Sequence, residues 1–246
     1  VRDLIGAEWR KIWTGRAWWA VAAAAVLMCV MADAGFVQQE LDKNPDGGST
    51  GEITSTLVQG WFMVELAAAV VAMLAVTREF GSGAISRSVL LSGGRARLLT
   101  AKLLAVVGSG AVFALAASML AAVSPWLFLA GHDRQPEWTT TTTWTLLGVM
   151  LTIVVGAVWG ALLGLLIRQQ VASILVLLVS TWLVGEGLLR LVPAIGRLTI
   201  DEAMASVYRG GNENLLPIPW ALLVLAVWIG AGTAVARTLF LRRDLP

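Results

Sequence analysis

Six stretches of this chain are each long and apolar enough to cross a bilayer, and that constrains everything else about it. A spanning helix needs roughly 20 mostly apolar residues, since each residue rises about 1.5 Å through a hydrocarbon core of about 30 Å. The stretches run over residues 17–37, 57–76, 103–129, 144–167, 171–192 and 218–241. Composition agrees: 57% of the 246 residues are hydrophobic and 14% are charged, where a soluble domain carries about 25% charged residues. One water-soluble core cannot hide so much apolar surface, so the excess faces lipid. The expected fold class is an all-α membrane protein with six transmembrane helices in a single transmembrane domain over residues 1–246.

Charge gives the spans a direction. With the N-terminus inside, thirteen of the 18 Lys and Arg residues fall on the inner side, in residues 1–16, in the loop 77–102, at Arg168 and at the C-terminal end. The outer side keeps Lys43, Arg134, Arg190, Arg197 and Arg209. Basic residues are retained on the cytoplasmic side, so both termini are expected in the cytoplasm. Nine of the twelve tryptophans (Trp9, Trp13, Trp18, Trp19, Trp61, Trp126, Trp138, Trp144 and Trp220) fall near the expected span ends. Indole favours that zone, where its ring is buried and its N–H stays hydrated. The first apolar run, with Ala32-Asp33-Ala34 after it, has the outline of a secretory signal. It is long for one, and a retained first span is expected.

Two segments at the inner edge carry pattern of their own. In residues 1–16, Leu4, Ile5, Trp9, Ile12 and Trp13 recur at helical spacing while Asp3, Arg10 and Lys11 fall elsewhere on the turn. This is an amphipathic helix suited to lie in the interface with its Trp side in the acyl boundary. The loop 77–102 holds five basic residues and one acid, Glu79. Ile85 and Val89 can share one face of a short helix, Ser92-Gly93-Gly94 would end it, and helix would resume near Arg95. A short helix held below the membrane by two spans suits contact with a cytoplasmic partner; a basic loop drawn to anionic lipid is the plainer reading.

At this loop the sequence resembles the permease subunits of type-2 ATP-binding-cassette (ABC) transporters. Glu79, Gly83, Leu91, Arg95 or Arg97, and Lys102 follow one another as in that family, although Ala84 stands for a common Thr and Gly93-Gly94 for the usual Pro. The start, AEWRKIWTGR, is similar to the family's N-terminal helix through Glu8 and Lys11. The end, LFLRRDLP, is similar through Phe240, Arg242, Arg243 and Asp244. The resemblance implies a bacterial plasma-membrane exporter and a coupling helix in the loop 77–102. Glu79, Gly83, Arg87, Leu91 and Arg95 are then the candidate contacts with a separate ATPase subunit that holds ATP and Mg. It also implies a second permease copy or paralogue, and a segment between spans five and six that folds partly back on the outer side. In that segment Ile195, Leu198, Ile200, Ala203 and Val207 would support short helices that do not cross.

The residues themselves name no chemistry. There is no Gly-x-x-x-x-Gly-Lys-Ser/Thr phosphate loop, no HExxH pair and no Gly-x-Ser-x-Gly elbow, so no cofactor and no catalysis are expected of this chain alone. Cys29 and His132 are each single, which provides no metal cluster, and nothing points to a nucleic-acid partner. Inside the spans, Glu65 is expected to face the bundle or a wet cavity, because a charge at that depth is costly. Glu186 precedes Arg190 by four residues, the order that favours an ion pair. Both, with Glu65, are candidate pathway residues. Gly156, Gly160 and Gly164 form a strip that lets another helix approach closely. A non-transporting sensor or immunity protein, or a lipid enzyme, would share this architecture; the substrate itself is not readable.

Overall fold

The computed structural model describes residues 2–43, 49–132, 134–211 and 213–243, with backbone alone at 41–43. Asp244 and the Lys43 side chain thus lie outside the described residues. Among these residues the chain is all helical, with six helices long and apolar enough to span a membrane.

An N-terminal helix α1 (Arg2–Trp13) precedes the first span, α2 (Ala17–Lys43). The second span is composite: α3 (Thr50–Gly60), a 3-10 turn at Trp61–Met63, and α4 (Val64–Gly81). A short helix α5 (Ala84–Ser92) leads to α6 (Arg95–Ala130) and then α7 (Thr140–Ile167). The fifth span joins α8 (Gln170–Val179), a π turn at Ser180–Gly185, and α9 (Glu186–Leu191). Two short helices, α10 (Pro193–Gly196) and α11 (Ile200–Val207), precede the last span, α12 (Ile218–Arg242).

The spans outrun the hydropathy windows most at the start of the second and of the third. The second begins seven residues before Leu57, because the polar Thr50–Thr56 turn is absorbed by the protein. There Ile53 and Thr54 are buried, and the Thr54 hydroxyl accepts the backbone N–H of Glu137. The third begins at Arg95, eight residues before Leu103, as a helix running out of the apolar zone. Trp61, placed at an interface by its sequence position, is instead 12 residues into its span and fully buried. Its indole N–H donates to Asp33 at 3.1 Å, with the Ser124 hydroxyl at 3.3 Å. A polar node thus links α2, the 3-10 turn and α6.

Spans two, three and four form the core, while spans one, five and six leave most of their surface outward. The glycine strip explains the tightest seam. Gly156, Gly160 and Gly164 each lie against a backbone carbonyl of the second span, at Glu65, Ala69 and Met73 respectively. Both series advance by four in the same sense, so α4 and α7 run parallel, one turn against one turn. A side chain at Gly160 would collide with the backbone of Ala69.

Candidate functional site

Two regions gather the candidate residues, one at each end of the bundle. At the first end, α5 hangs between two spans. Its entry needs Gly83, which has φ +65°, and its exit Gly93 and Gly94, with φ +73° and +139°; side chains rarely adopt these conformations. Ile85 is fully buried and Val89 packs on the core, so one face of α5 is fixed. The other face is bare: Leu90 and Leu91 are 82% and 81% exposed, and Arg87 is exposed beside them.

Glu79 does not join that exposed face. It is buried in a four-membered ion cluster with Glu8, Lys11 and Lys102. Lys102, only 4% exposed, lies 2.6 Å from Glu8 Oε2 and 2.8 Å from Glu79 Oε1. Lys11 donates to Glu8, to Glu79 at 3.1 Å and to the Ser88 hydroxyl at 3.2 Å. The cluster therefore ties α1, α4, α5 and α6 together. Burial alone would push the Glu8 carboxyl up, but Lys102 and Lys11 outweigh it and hold Glu8 below its usual value. Burial would likewise lower Lys11, and its two carboxylate partners keep it raised.

Around this cluster α1 packs on protein with its tryptophans. Trp13 stacks on Phe113, centroids 5.9 Å apart, and Trp9 fills the space left open by Gly108. The Trp side thus faces α6, where the sequence pattern alone suggested lipid. Arg95 has a different office from the tip of α5: its guanidinium donates to the carbonyls of Leu241 and Arg243, both at 2.9 Å. Arg168 adds a bond to the Leu239 carbonyl and lies 5.1 Å from the Phe80 ring centroid. Cations here meet the negative end of the α12 dipole.

At the opposite end a cavity of about 420 Å³ collects four carboxylates, from Glu65, Glu186, Asp201 and Glu202, with Phe62, Trp182 and Tyr208 among its walls. Phe62 and Tyr208 stack with centroids 4.7 Å apart. Both irregular turns border it: the 3-10 turn places Phe62, and the π turn places Thr181 and Trp182. π turns within helices often sit at functional sites. Gly148 admits α11 by leaving room for the Val207–Tyr208 backbone. Glu186 and Arg190 form the expected pair at 2.7 Å, both well exposed. Glu65 is 9% exposed, and its Oε2 has no hydrogen-bond partner. Burial raises Asp201 and Tyr208, and lifts Glu202 to about 7, with Glu186 and Asp201 adding to the effect.

Sequence reasoning located Glu65 and the Glu186–Arg190 pair, but missed Asp201, Glu202 and Tyr208. The segment between spans five and six drew attention by its apolar residues. Of those, Ile200, Ala203 and Val207 are buried, whereas Ile195 and Leu198 are exposed. The acids between them were the signal available: Asp201 and Glu202 open a helix whose other face is apolar.

A family model described as ABC-2 family transporter protein matches residues 4–184, nearly three quarters of the chain. The chain belongs to the ABC-2 transporter family. It is thus a multi-pass membrane permease, the transport component of an ABC transporter and not catalytic alone; membership implies association with ABC ATPase subunits. The match takes in the ion cluster and α5, and stops inside the π turn of this ABC-2 protein, so Asp201, Glu202 and Tyr208 lie beyond it. No curated protein matches the chain.

Proposed function

We propose that this ABC-2 permease is the membrane-spanning half of an ATP-driven exporter of amphipathic or hydrophobic compounds in a bacterial plasma membrane. Its termini and α5 face the cytoplasm, where thirteen of 18 basic residues would lie. ATP and Mg bind to a separate ATPase subunit, two copies of which serve two permeases, identical or paralogous. The outward surfaces of spans one and five suit a second permease as well as lipid. In this reading α1 lies along the inner interface, and α10 and α11 fold back into the outer side without crossing.

One observation carries the assignment of the ATPase contact. α5 presents two bare leucines and Arg87 on a base immobilised by buried Ile85 and by the ion cluster. An apolar tip on a rigid mount is what a protein interface anchor requires, and a force applied there reaches α4 and α6 directly. Glu79 and Lys102 supply the mount, Gly83 its hinge-shaped entry, and Arg95 the tether to α12.

The test is purification of the native-expressed chain in mild detergent with mass spectrometry of what accompanies it. A stoichiometric soluble subunit carrying a phosphate loop is expected. Replacing Leu90 and Leu91 together by Asp should release that subunit, a loss of about 2 kcal/mol or more of binding, while leaving the permease monodisperse. Retention of the subunit by the double variant would remove α5 from the interface; absence of any ATPase, even after cross-linking, would overturn the transporter reading.

A further inference from the structure

The acidic cavity does not end at its carboxylates. A second cavity of about 390 Å³ shares Phe62, Glu65, Thr181 and Trp182 with it, and is otherwise walled by apolar residues of spans one and two, including Val21, Met28, Leu66 and Val70. Glu65 stands at the junction. Among the described residues, the lining of the acidic chamber includes no Lys, Arg or His. Arg190 is paired with the lining Glu186, and Arg209, between the lining Tyr208 and Gly210, is exposed.

A buried carboxylate oxygen with no partner is costly. Glu65 Oε2 is such an atom, 91% of its residue being shielded while it lines both cavities. The Thr152 hydroxyl interacts with the carboxyl, and the Asp201 carboxylate adds to the negative potential there. The four acids do not suit a metal ion, since no three His, Cys, Asp or Glu among the described residues are placed to hold one. What the space lacks is a diffuse positive charge. Aromatic faces from Phe62, Trp182 and Tyr208 attract such a charge as well, and the adjoining apolar chamber would take a hydrocarbon body.

We propose that the two chambers form one site for an amphipathic organic cation, its charge held among Glu65, Asp201 and Glu202 and its apolar body in the chamber beside α2. The inference deepens the permease reading, on which the ligand's role as cargo rests; the binding itself does not depend on it. The groups that would titrate with binding are Glu65 on α4, Glu186 with its partner Arg190 on α9, and Asp201, Glu202 and Tyr208 on and after α11. The ligand favours ionised carboxylates, so affinity should fall as pH drops through about 7, where Glu202 takes up a proton.

The experiment uses the full purified chain in a nonionic maltoside detergent, without any ATPase, and two ions of matched shape: tetraphenylphosphonium and tetraphenylborate. Equilibrium dialysis, corrected for uptake by empty micelles, should show saturable binding of the phosphonium and little of the borate. Glu65→Gln and Glu202→Gln should each weaken phosphonium binding about tenfold or more, as should lowering the wild-type protein from about pH 8.5 to about pH 5.5. Equal binding of both ions, or phosphonium binding that neither substitution nor pH alters, overturns the site. Should Glu65→Gln fail to fold, Glu202→Gln and the wild-type pH series decide. An ATPase that co-purifies with a chain unable to bind phosphonium would leave the transporter reading standing and this one refuted. Binding without any ATPase partner would do the reverse.

Discussion

Two glutamates on one unbroken helix show how differently the protein treats the same side chain. Glu79 and Glu65 both lie on α4, 14 residues apart and so about 21 Å along the axis. Glu79 meets two lysines, whereas Glu65 meets none. A buried pair broken on one side leaves an uncompensated charge, at a cost of about 3–5 kcal/mol. Lys102→Met should therefore lower the thermal stability of the detergent-solubilised protein by about that amount, and expose α1 to hydrogen exchange or protease. The pH dependence follows from the same cluster. Glu8 is held below its reference value of 4.5, so its contribution is present above that value and lost as pH falls through the lower, folded one. Lys11 is held above 10.5, so its contribution is complete below that value and lost as pH rises through the folded one. Glu202, raised to about 7, and Asp201 add their own loss of stability as pH rises from the acid side. The cluster is therefore read from the difference in melting temperature between wild type and Glu8→Gln. That difference should be present at neutral pH and shrink as pH falls below 4.5; its absence at neutral pH would mean that the cluster does not anchor α1.

At the level of elements, backbone proximity sets the strictest demands. The α4–α7 seam tolerates no added atom at Gly160, because the obstruction is the Ala69 backbone, which cannot rotate aside. Gly160→Ala is expected to cost about 1–3 kcal/mol. Gly230 on α12 has nothing within 4 Å of an added Cβ, and Gly230→Ala should be neutral or slightly stabilising. Melting both variants side by side checks this, and equal effects would refute the seam. The glycine strip was legible as a helix-packing surface because its period matches the helix, and so were the six spans, the α5 helix between its glycines, and the Glu186–Arg190 pair. What stayed hidden is tertiary. Hydropathy reports solvent preference averaged over a window, so it stopped at Leu57 and missed a polar turn satisfied by other helices. Periodicity carries no trace of the 3-10 and π turns, and nothing local brings Asp201 to Glu65, 136 positions earlier in the chain.

For the whole molecule, charge is segregated along the bundle axis: arginines crowd the end bearing α5, and carboxylates line a chamber at the other. If the membrane reads this as a cytoplasmic and an outer end, single cysteines report it directly. Cys29 is fully buried, so a membrane-impermeant maleimide added to intact cells should leave the native chain unlabelled. Ser82→Cys, at the exposed entry to α5, should react only after the cells are opened, and Leu198→Cys, exposed beside α11, should react from outside. Labelling in the opposite order would invert the topology.

Between those ends runs α4, 18 residues with no break from Gly81 to Val64, about 27 Å of continuous hydrogen-bonded rod. One end is bolted to the α5 mount through Glu79. The other stops at the 3-10 turn that holds Phe62, within one turn of Glu65, whose Oε2 has no hydrogen-bond partner. A stiff rod does not dissipate displacement along its length; it delivers it to its joint. In this chain the joint, Trp61 to Met63, also supplies chamber wall: Phe62 lines both chambers and Met63 the apolar one.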